Sequence, residues 1–271
     1  MKSFTIAAAT AKEAIRQPAF FVLAGIAGAW LIGSIFVAYF TFGEDIKMYK
    51  DTGLTTISFV CLLLALLTSS STVAEEIDGK TAITLLSKPI NRRQFIFGKF
   101  LGIELAVLAM FLFLGAVFAL GVAYKHKYDL SEASGESQGK QIEQVLQVLP
   151  GLALGFFEVT VLTSVSVAIS TRLPMLVNLV VCISLFFLGH LTPILVQVSG
   201  GENSNELVHF MAQLFAFGLP ELEFFNAGPA ISTGAVIPWA GYVLPALGYC
   251  MLYSGAALLF AFLLFEDRDL A

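Results

Sequence analysis

The sequence predicts an all-α membrane protein with six transmembrane helices, an N-terminal interfacial helix and a short re-entrant or interfacial helix before the last span. The first observation is composition: 57% of the 271 residues are hydrophobic and 13% are charged, whereas a soluble domain has about 25% charged residues. The second is a mean hydropathy of +0.83. The third is that the apolar runs are continuous rather than alternating, which excludes a membrane β-barrel.

Each predicted span is a run of about 20 mostly apolar residues, the length that an α-helix needs to cross a bilayer. We predict one transmembrane domain over residues 1–271, with spans at about 19–42, 54–73, 100–124, 149–170, 173–198 and 238–265. Only Thr171 and Arg172 separate the fourth span from the fifth, and Pro174 follows. A tight turn is therefore expected there.

The distribution of Lys and Arg predicts the orientation, because cytoplasmic loops carry an excess of these residues. Ten of the 15 lie on the side of the two termini, and five lie on the opposite side. We therefore predict a multi-pass protein of the plasma or inner membrane, with both termini in the cytoplasm. The ten are Lys2, Lys12, Arg16, Lys80, Lys88, Arg92, Arg93, Lys99, Arg172 and Arg268; the five are Lys47, Lys50, Lys125, Lys127 and Lys140.

Two amphipathic stretches flank the spans. In residues 3–17 one helical face carries Phe4, Ala7, Ala8, Ala11 and Ile15, and Pro18 follows. This pattern predicts a helix along the inner leaflet, with a frayed polar tail as the alternative.

A second amphipathic stretch precedes the last span, with Asn203 as a helix cap and Gly218 and Pro220 as its end. About a dozen residues are too few to cross a bilayer, so this helix is interfacial or re-entrant, within segment 203–237. Its apolar stripe is Leu207, Phe210, Met211, Leu214 and Phe215.

The stretch AEEIDGKT at residues 74–81 ends like a phosphate-binding loop. Such a loop also needs a glycine at position 74, where Ala74 stands, and a preceding buried strand, where a membrane span stands. Three carboxylates, those of Glu75, Glu76 and Asp78, occupy the place where backbone amides should cradle phosphate. We conclude that this chain does not itself bind ATP.

Residues 74–99 form the only sizeable cytoplasmic loop in the predicted topology. A short helix, capped by Asp78 or Thr81, would end near Leu86, and Ile83 and Leu86 would share one face. Pro89 interrupts, and Asn91 can begin the next helix. The loop either acts as a lever for a partner or merely fixes topology with its cations.

The order of residues in this loop resembles the permease subunits of type-2 ABC exporters. The similarity rests on Glu75-Glu76, Gly79-Lys80-Thr81, Leu85-Leu86, Ser87-Lys88-Pro89-Ile90-Asn91-Arg92 and Gly98-Lys99. Family members often have Gly-Thr directly, whereas Lys80 intervenes here. The stretches KEAIRQPAFFVL and FEDRDL are similar to the family's amphipathic first helix and its C-terminal ending.

The resemblance implies a permease that is not itself an enzyme. It implies two permease copies, as a homodimer or with a paralogue, bound to two separate ATP-binding cassette subunits that hold ATP and Mg. Membrane lipids are further partners, nucleic acid is not, and the chain itself holds no cofactor. The substrate is not identified.

The resemblance also suggests how the loop would work. The helix around Asp78–Leu86 would dock on the ATP-binding subunit, and Glu75 and Glu76 would anchor it by pairing with Arg92 or Arg93. The residues expected to couple the two subunits are Glu75, Glu76, Asp78, Gly79, Thr81, Ile83, Leu86, Pro89, Arg92 and Arg93. Replacing Glu75 and Gly79 is expected to uncouple ATP hydrolysis from transport without unfolding the spans.

Two carboxylates and one histidine interrupt the spans, where an ionisable group usually faces protein or water. Glu104 lies about one turn from Lys99 and is expected at the inner interface. Glu158 is deeper, either lining a path or relaying protons, or held by Ser, Thr or Asn178. His190 either lines the path or is a packing residue near Pro193. No sequence pattern indicates a metal site.

Two alternatives to an exporter remain open at this stage. One is a permease-like subunit that transports nothing and transmits ATP-driven motion to an extracytoplasmic protein. The other is an intramembrane enzyme with Glu158 and His190 as acid and base, although nothing in the sequence places those two residues together.

Overall fold

The computed structural model describes residues 2–37, 45–74, 91–132, 138–199 and 206–266. Nine α-helices fill these ranges, and no strand occurs within them. The helices are α1 (Lys2–Arg16), α2 (Pro18–Phe36), α3 (Asp45–Ser69), α4 (Arg92–Glu132), α5 (Gln138–Ser170), α6 (Met175–Ser199), α7 (Glu206–Gly218), α8 (Gly228–Ser232) and α9 (Leu244–Glu266). The all-α prediction is confirmed.

Three short segments of other helical type complete the described chain. A π-helical turn, Ser70–Ala74, extends α3, and a second, Trp239–Val243, leads into α9. A 3₁₀ turn, Leu222–Phe225, lies between α7 and α8. Within the described ranges, six helical stretches are long and apolar enough to cross a membrane, as the sequence predicted.

The boundaries differ from the predicted spans because apolarity marks the lipid-facing part of a helix and not its ends. The described helix of the first span ends at Phe36, and Val37 is extended. The predicted limit at residue 42 lies outside the described residues. The other long helices continue into polar sequence, and α4 runs from Arg92 to Glu132. The predicted turn between the fourth and fifth spans is confirmed at residues 171–174.

The core lies where α3, α4 and α5 meet. About half or more of the central window of each of these three spans is buried, against 22% or less for the three other spans. In a membrane protein such exposed apolar helices meet lipid or another subunit rather than water. The inner three helices therefore form the frame that positions the polar side chains described below.

Helix α1 packs against the first turns of α4 through small residues. A Cβ placed on Gly102 would lie 2.6 Å from Cβ of Thr10, and one on Gly98 would lie 2.9 Å from Cβ of Ile6. The buried residues of α1 are Ala7, Thr10, Ala11 and Ala14. A helix is present where the interfacial helix was predicted. Of its predicted apolar face, Ala7 and Ala11 are buried in the bundle, whereas Phe4 is 71% exposed and Ala8 is also exposed. Close contact between helices favours small residues on the buried side.

The helix predicted before the last span is α7, and it ends at Gly218 as expected. Its apolar stripe points away from the described core, with Leu207, Phe210 and Leu214 all more than half exposed. Asn203, its predicted cap, lies outside the described residues. The chain then returns through the 3₁₀ turn and α8, which pack beside α3, α5 and α6.

Candidate functional site

Most of the predicted coupling residues lie outside the described part of the chain. These are Glu75, Glu76, Asp78, Gly79, Thr81, Ile83, Leu86 and Pro89, all within residues 75–90. The predicted pairing with Arg92 or Arg93 involves Glu75 or Glu76, so it also lies outside the described residues. The structure does describe the two points at which this segment joins the bundle, Ser70–Ala74 on one side and Asn91–Arg92 on the other.

The first attachment point is held by a buried cluster of polar side chains. Nδ2 of Asn178 on α6 lies 2.7 Å from Oγ of Ser70, 2.9 Å from Oγ of Ser166 and 2.7 Å from Oγ of Ser170. An amide nitrogen carries two hydrogens, so three hydroxyl oxygens share two donors. Sγ of Cys182 completes this Asn178 cluster, 3.3 Å from Oδ1 of Asn178.

The Asn178 cluster joins three spans at the end of the bundle from which the loop departs. Ser70 follows α3, Ser166 and Ser170 belong to α5, and Asn178 belongs to α6. Ser69 adds a further bond to Ser166. Buried polar groups at membrane depth bond across helices because hydrocarbon offers them no other partner. The end of α3 is thereby tied to α5 and α6.

The second attachment point is the N-terminus of α4. The guanidinium of Arg92 donates a hydrogen bond of 3.0 Å to the carbonyl oxygen of Phe265 and lies 5.7 Å from the centre of its ring. The ring of Phe95 stacks on that of Phe265 at 6.0 Å. These contacts join the start of α4 to the end of α9, while α1 packs on the same turns through Gly98 and Gly102.

The two buried carboxylates have different surroundings. Oε2 of Glu104 on α4 accepts a hydrogen bond of 2.9 Å from Oγ1 of Thr160 on α5. Glu104 is therefore a buried contact between two spans, and its expected depth near the inner interface stays a prediction. Glu158 has no such hydroxyl donor among the described residues, and its predicted partner Asn178 belongs to the cluster described above.

The structure brings Glu158 and His190 together. Nε2 of His190 lies 3.5 Å from Oε1 of Glu158, although the residues belong to separate spans. Close packing around α5 uses a small residue, because a Cβ on Gly155 would run into the side chain of Ser58 on α3. An intramembrane enzyme with Glu158 and His190 as acid and base would need these residues side by side. The sequence did not place them together, and the structure does.

The tautomer of His190 follows from its other nitrogen. Nδ1 lies 3.0 Å from the carbonyl oxygen of Phe186, one turn earlier in α6. A carbonyl oxygen only accepts hydrogen bonds, so Nδ1 carries the hydrogen. In the neutral ring Nε2 is then an acceptor and faces a carboxylate oxygen, which also accepts. A proton must lie on one of these two atoms if the pair is to attract rather than repel.

Glu158 and His190 lie at the wall of a cavity of about 280 Å³ between α3, α5, α6 and the segment after the 3₁₀ turn. Its wall carries both aromatic and polar side chains. Its lining residues on α3, α5 and α6 lie in the middle parts of these helices, away from the loop attachment points. The aromatic residues are Phe186, Phe187 and Phe225, and the polar ones include Thr55, Ser58 and Asn226.

A second groove, of about 520 Å³, lies between α2 and α3. Thr55 is exposed there, and its hydroxyl donates to the carbonyl of Asp51 in its own helix. A polar stripe on a membrane helix more often faces water or another protein than lipid. The apolar walls of the groove include Ile26, Trp30 and Phe59, and its polar α3 side consists of Asp51, Thr52, Thr55 and Thr56.

Sequence reasoning missed the Asn178 cluster and a second polar contact at the far end of the bundle. There, buried Lys50 on α3 donates to the side-chain oxygens of Gln144 and Gln147 on α5, the latter at 3.2 Å. The serine run before the loop was a usable signal for the first contact. No group of three His, Cys, Asp or Glu side chains suited to a metal occurs among the described residues.

Comparison with known families gives a match over nearly the whole chain. A family model described as "ABC-2 family transporter protein" matches residues 5–270. No curated protein matches the chain significantly.

Proposed function

The chain belongs to the ABC-2 family of transporter proteins, and from this premise we propose that it is the membrane-spanning permease of an ATP-driven exporter. A separate ATP-binding cassette subunit, which holds ATP and Mg, docks on the cytoplasmic loop 74–99. The docked helix is formed around Asp78–Leu86. Its movement when the ATP-binding subunits close is passed to the spans.

The observation that carries this proposal is the anchoring of both ends of the loop. One end is joined by the Asn178 cluster to α5 and α6, and the other by Arg92 to α9. A partner that displaced residues 75–90 would therefore move two groups of helices relative to each other. A loop that only fixed topology would not need polar bonds that join each of its ends to the bundle.

The groove between α2 and α3 supports a second permease copy. Its polar α3 side, with Asp51 and Thr55, would meet the twin subunit or a water-filled path in a dimer. Tilting of α2 and α3 against that twin would then open a path outward. ATP can drive this change only if it binds the two conformations with different affinity.

The experiment that tests the proposal is affinity capture from a detergent extract of the native host. The variant Gly79→Pro plus Leu86→Asp disrupts the docked helix and its apolar face. Arg172→Asp is the matched control. It changes the exposed turn between α5 and α6, which is expected on the same side of the membrane as the loop 74–99. An ATPase should copurify with wild type and the control but not with the double variant.

Two results would contradict the proposal. Capture of the ATPase by all three proteins would place its docking site elsewhere, and absence of any ATPase would remove the exporter function. Transport by reconstituted vesicles then decides between an exporter and a non-transporting subunit that moves an extracytoplasmic protein. In the second case ATP would be hydrolysed with no substrate accumulated.

A further inference from the structure

The cavity beside Glu158 is not needed for docking an ATPase, and its lining has an unusual composition for membrane depth. Glu158 is only 5% exposed, and its Oε1 atom has no hydrogen-bond partner within the described structure. Nε2 of His190 lies 3.5 Å from this atom. Once no proton lies between these two residues, Glu158 is a carboxylate buried without a donor, which is costly, so a ligand that supplies positive charge or a donor would be favoured there.

The charges around the cavity also favour a cation. None of its described lining residues is Lys or Arg. Glu223, in the 3₁₀ turn, lies within electrostatic range of Glu158, and Oδ1 of Asp51 lies against Gly228 in the cavity wall. An anion entering this space would therefore meet the carboxylate of Glu158, with Glu223 and Asp51 nearby, and no Lys or Arg among the described lining residues.

The aromatic wall favours organic cations over metal ions. Phe186, Phe187 and Phe225 face the same space as Glu158. A cation over an aromatic face is attracted by the ring, and desolvation strengthens this attraction. The volume of about 280 Å³ is far more than the share of one water molecule, about 30 Å³. A bare metal ion would leave most of this space unfilled.

We propose that this cavity binds a small organic ammonium ion in exchange for the proton shared by Glu158 and His190. When the ammonium group enters, the shared proton leaves to bulk water. Glu158 then remains as a carboxylate, and His190 as the neutral Nδ1–H tautomer. One positive charge replaces another, so the buried site keeps its net charge. The binding of the cation does not depend on the proposed permease function. Only the idea that the bound cation is cargo rests on that function.

The titratable groups on the elements packed around the cavity are mostly acids and phenols. Asp51 and Glu223 border the cavity, and Glu104 is hydrogen bonded to Thr160, on the far side of α5 from Glu158. The negative charges of these carboxylates favour a cation in the cavity. The proton that is exchanged is still the one shared by Glu158 and His190. These groups include Lys50 and Asp51 on α3, Glu104 on α4, His190 on α6, Glu221 and Glu223 around the 3₁₀ turn, Tyr242 before α9, and Tyr249, Cys250 and Tyr253 on α9.

Calorimetric titration of the purified full chain in detergent tests the exchange. Benzylammonium chloride is the probe, benzyl alcohol is its neutral analogue, and sodium chloride supplies the metal cation. Benzylammonium should bind, and the other two should not. If one proton leaves per cation, the affinity should rise about tenfold for each pH unit while the pair holds its proton. Buffers of different ionisation enthalpy should report the proton released.

Two variants locate the site and control for folding. Glu158→Gln should weaken benzylammonium binding by about tenfold or more and abolish proton release, because the amide carries no charge. Glu104→Gln alters a carboxylate of similar burial that does not line the cavity, and it should bind as wild type does. Size-exclusion profiles and thermal midpoints of all three proteins show whether each is folded.

Four results would overturn the proposal. They are equal binding of benzyl alcohol, preferential binding of sodium, wild-type affinity in Glu158→Gln, and affinity that does not change with pH. No ATPase is present in this measurement. A failure here therefore leaves the docking of an ATP-binding subunit untouched, and a failure to capture that subunit leaves the cation site untouched.

Discussion

The side-chain amide of Asn178 donates to the hydroxyl of Ser70 at 2.7 Å and so joins α6 to the π-helical turn that ends the second span. The two residues lie in different parts of the chain, and both are fully buried. Residues 75–90 follow directly on this turn. The bond therefore ties the turn to the bundle immediately before the loop begins.

Replacing Asn178 with leucine should loosen the end of α3 without unfolding the bundle. Interhelical hydrogen bonds in membranes contribute about 0.6 kcal/mol each on average, so the loss of two should lower the free energy of unfolding by about 1 kcal/mol. Chemical unfolding in detergent measures this change. Ser184→Ala is the matched control, because the Ser184 hydroxyl is exposed and bonds to Val180 in its own helix. Equal stability of the two variants would contradict the role given to the cluster.

Arg92→Ala should separate the start of α4 from the end of α9. The variant removes a charge-assisted hydrogen bond to the Phe265 carbonyl and a contact with its ring. Because Arg92 is partly exposed, we expect a loss of only about 1 kcal/mol in the free energy of unfolding. Thermal unfolding of the purified protein measures it. Arg172→Ala, which removes an exposed cation from a turn, should change stability little; a loss as large as that of Arg92→Ala would point to net charge as the cause.

Gly102→Ala should push α1 away from α4. The added Cβ would lie 2.6 Å from Cβ of Thr10 and 2.7 Å from the carbonyl oxygen of Ala7, and backbone cannot yield as a flexible side chain can. Overpacking of this kind costs about 1–3 kcal/mol. Limited proteolysis of the N-terminal helix and the thermal midpoint should both report the change. Gly25→Ala, where the added Cβ has nothing within 4 Å, should leave both measurements as in wild type.

Single cysteines can test the predicted orientation, because Cys61, Cys182 and Cys250 are all buried. A membrane-impermeant maleimide applied to intact cells should label Thr233→Cys, in the exposed turn after α8. It should label Arg172→Cys only after lysis, since that turn lies at the same end as the loop. The reverse pattern would show that the termini are on the outer side and would remove residues 75–90 as a docking site for a cytoplasmic ATPase.

The spans could be predicted from the sequence because lipid selects for continuous apolar runs of a fixed length. Their mutual packing could not be predicted in the same way. The buried face of α1 does not coincide with its most apolar residues, because Phe4 is exposed and Thr10 is buried. Hydrophobicity identifies contact with lipid, whereas close contact between helices depends on small residues.

The candidate site was predicted as separate residues but not as a unit. Glu158 and His190 were each singled out as ionisable groups in apolar runs, a property that the sequence shows directly. Their approach to 3.5 Å depends on how α5 and α6 cross, and no local pattern encodes that. The Asn178 cluster was missed for a similar reason, because its serines are small, individually common residues whose bonds span three helices.

The π-helical turn Ser70–Ala74 has a mechanical consequence for the chain that follows it. A π turn accommodates one more residue than an α turn of the same height. If the turn reverted to α-helix, the chain after it would rotate by about 100° and advance by about 1.5 Å along the axis. The direction in which the loop leaves the bundle would then change while α3 itself stayed in place. A change of helix type within these five residues would thus reorient the chain that follows Ala74 without sliding the span through the bilayer.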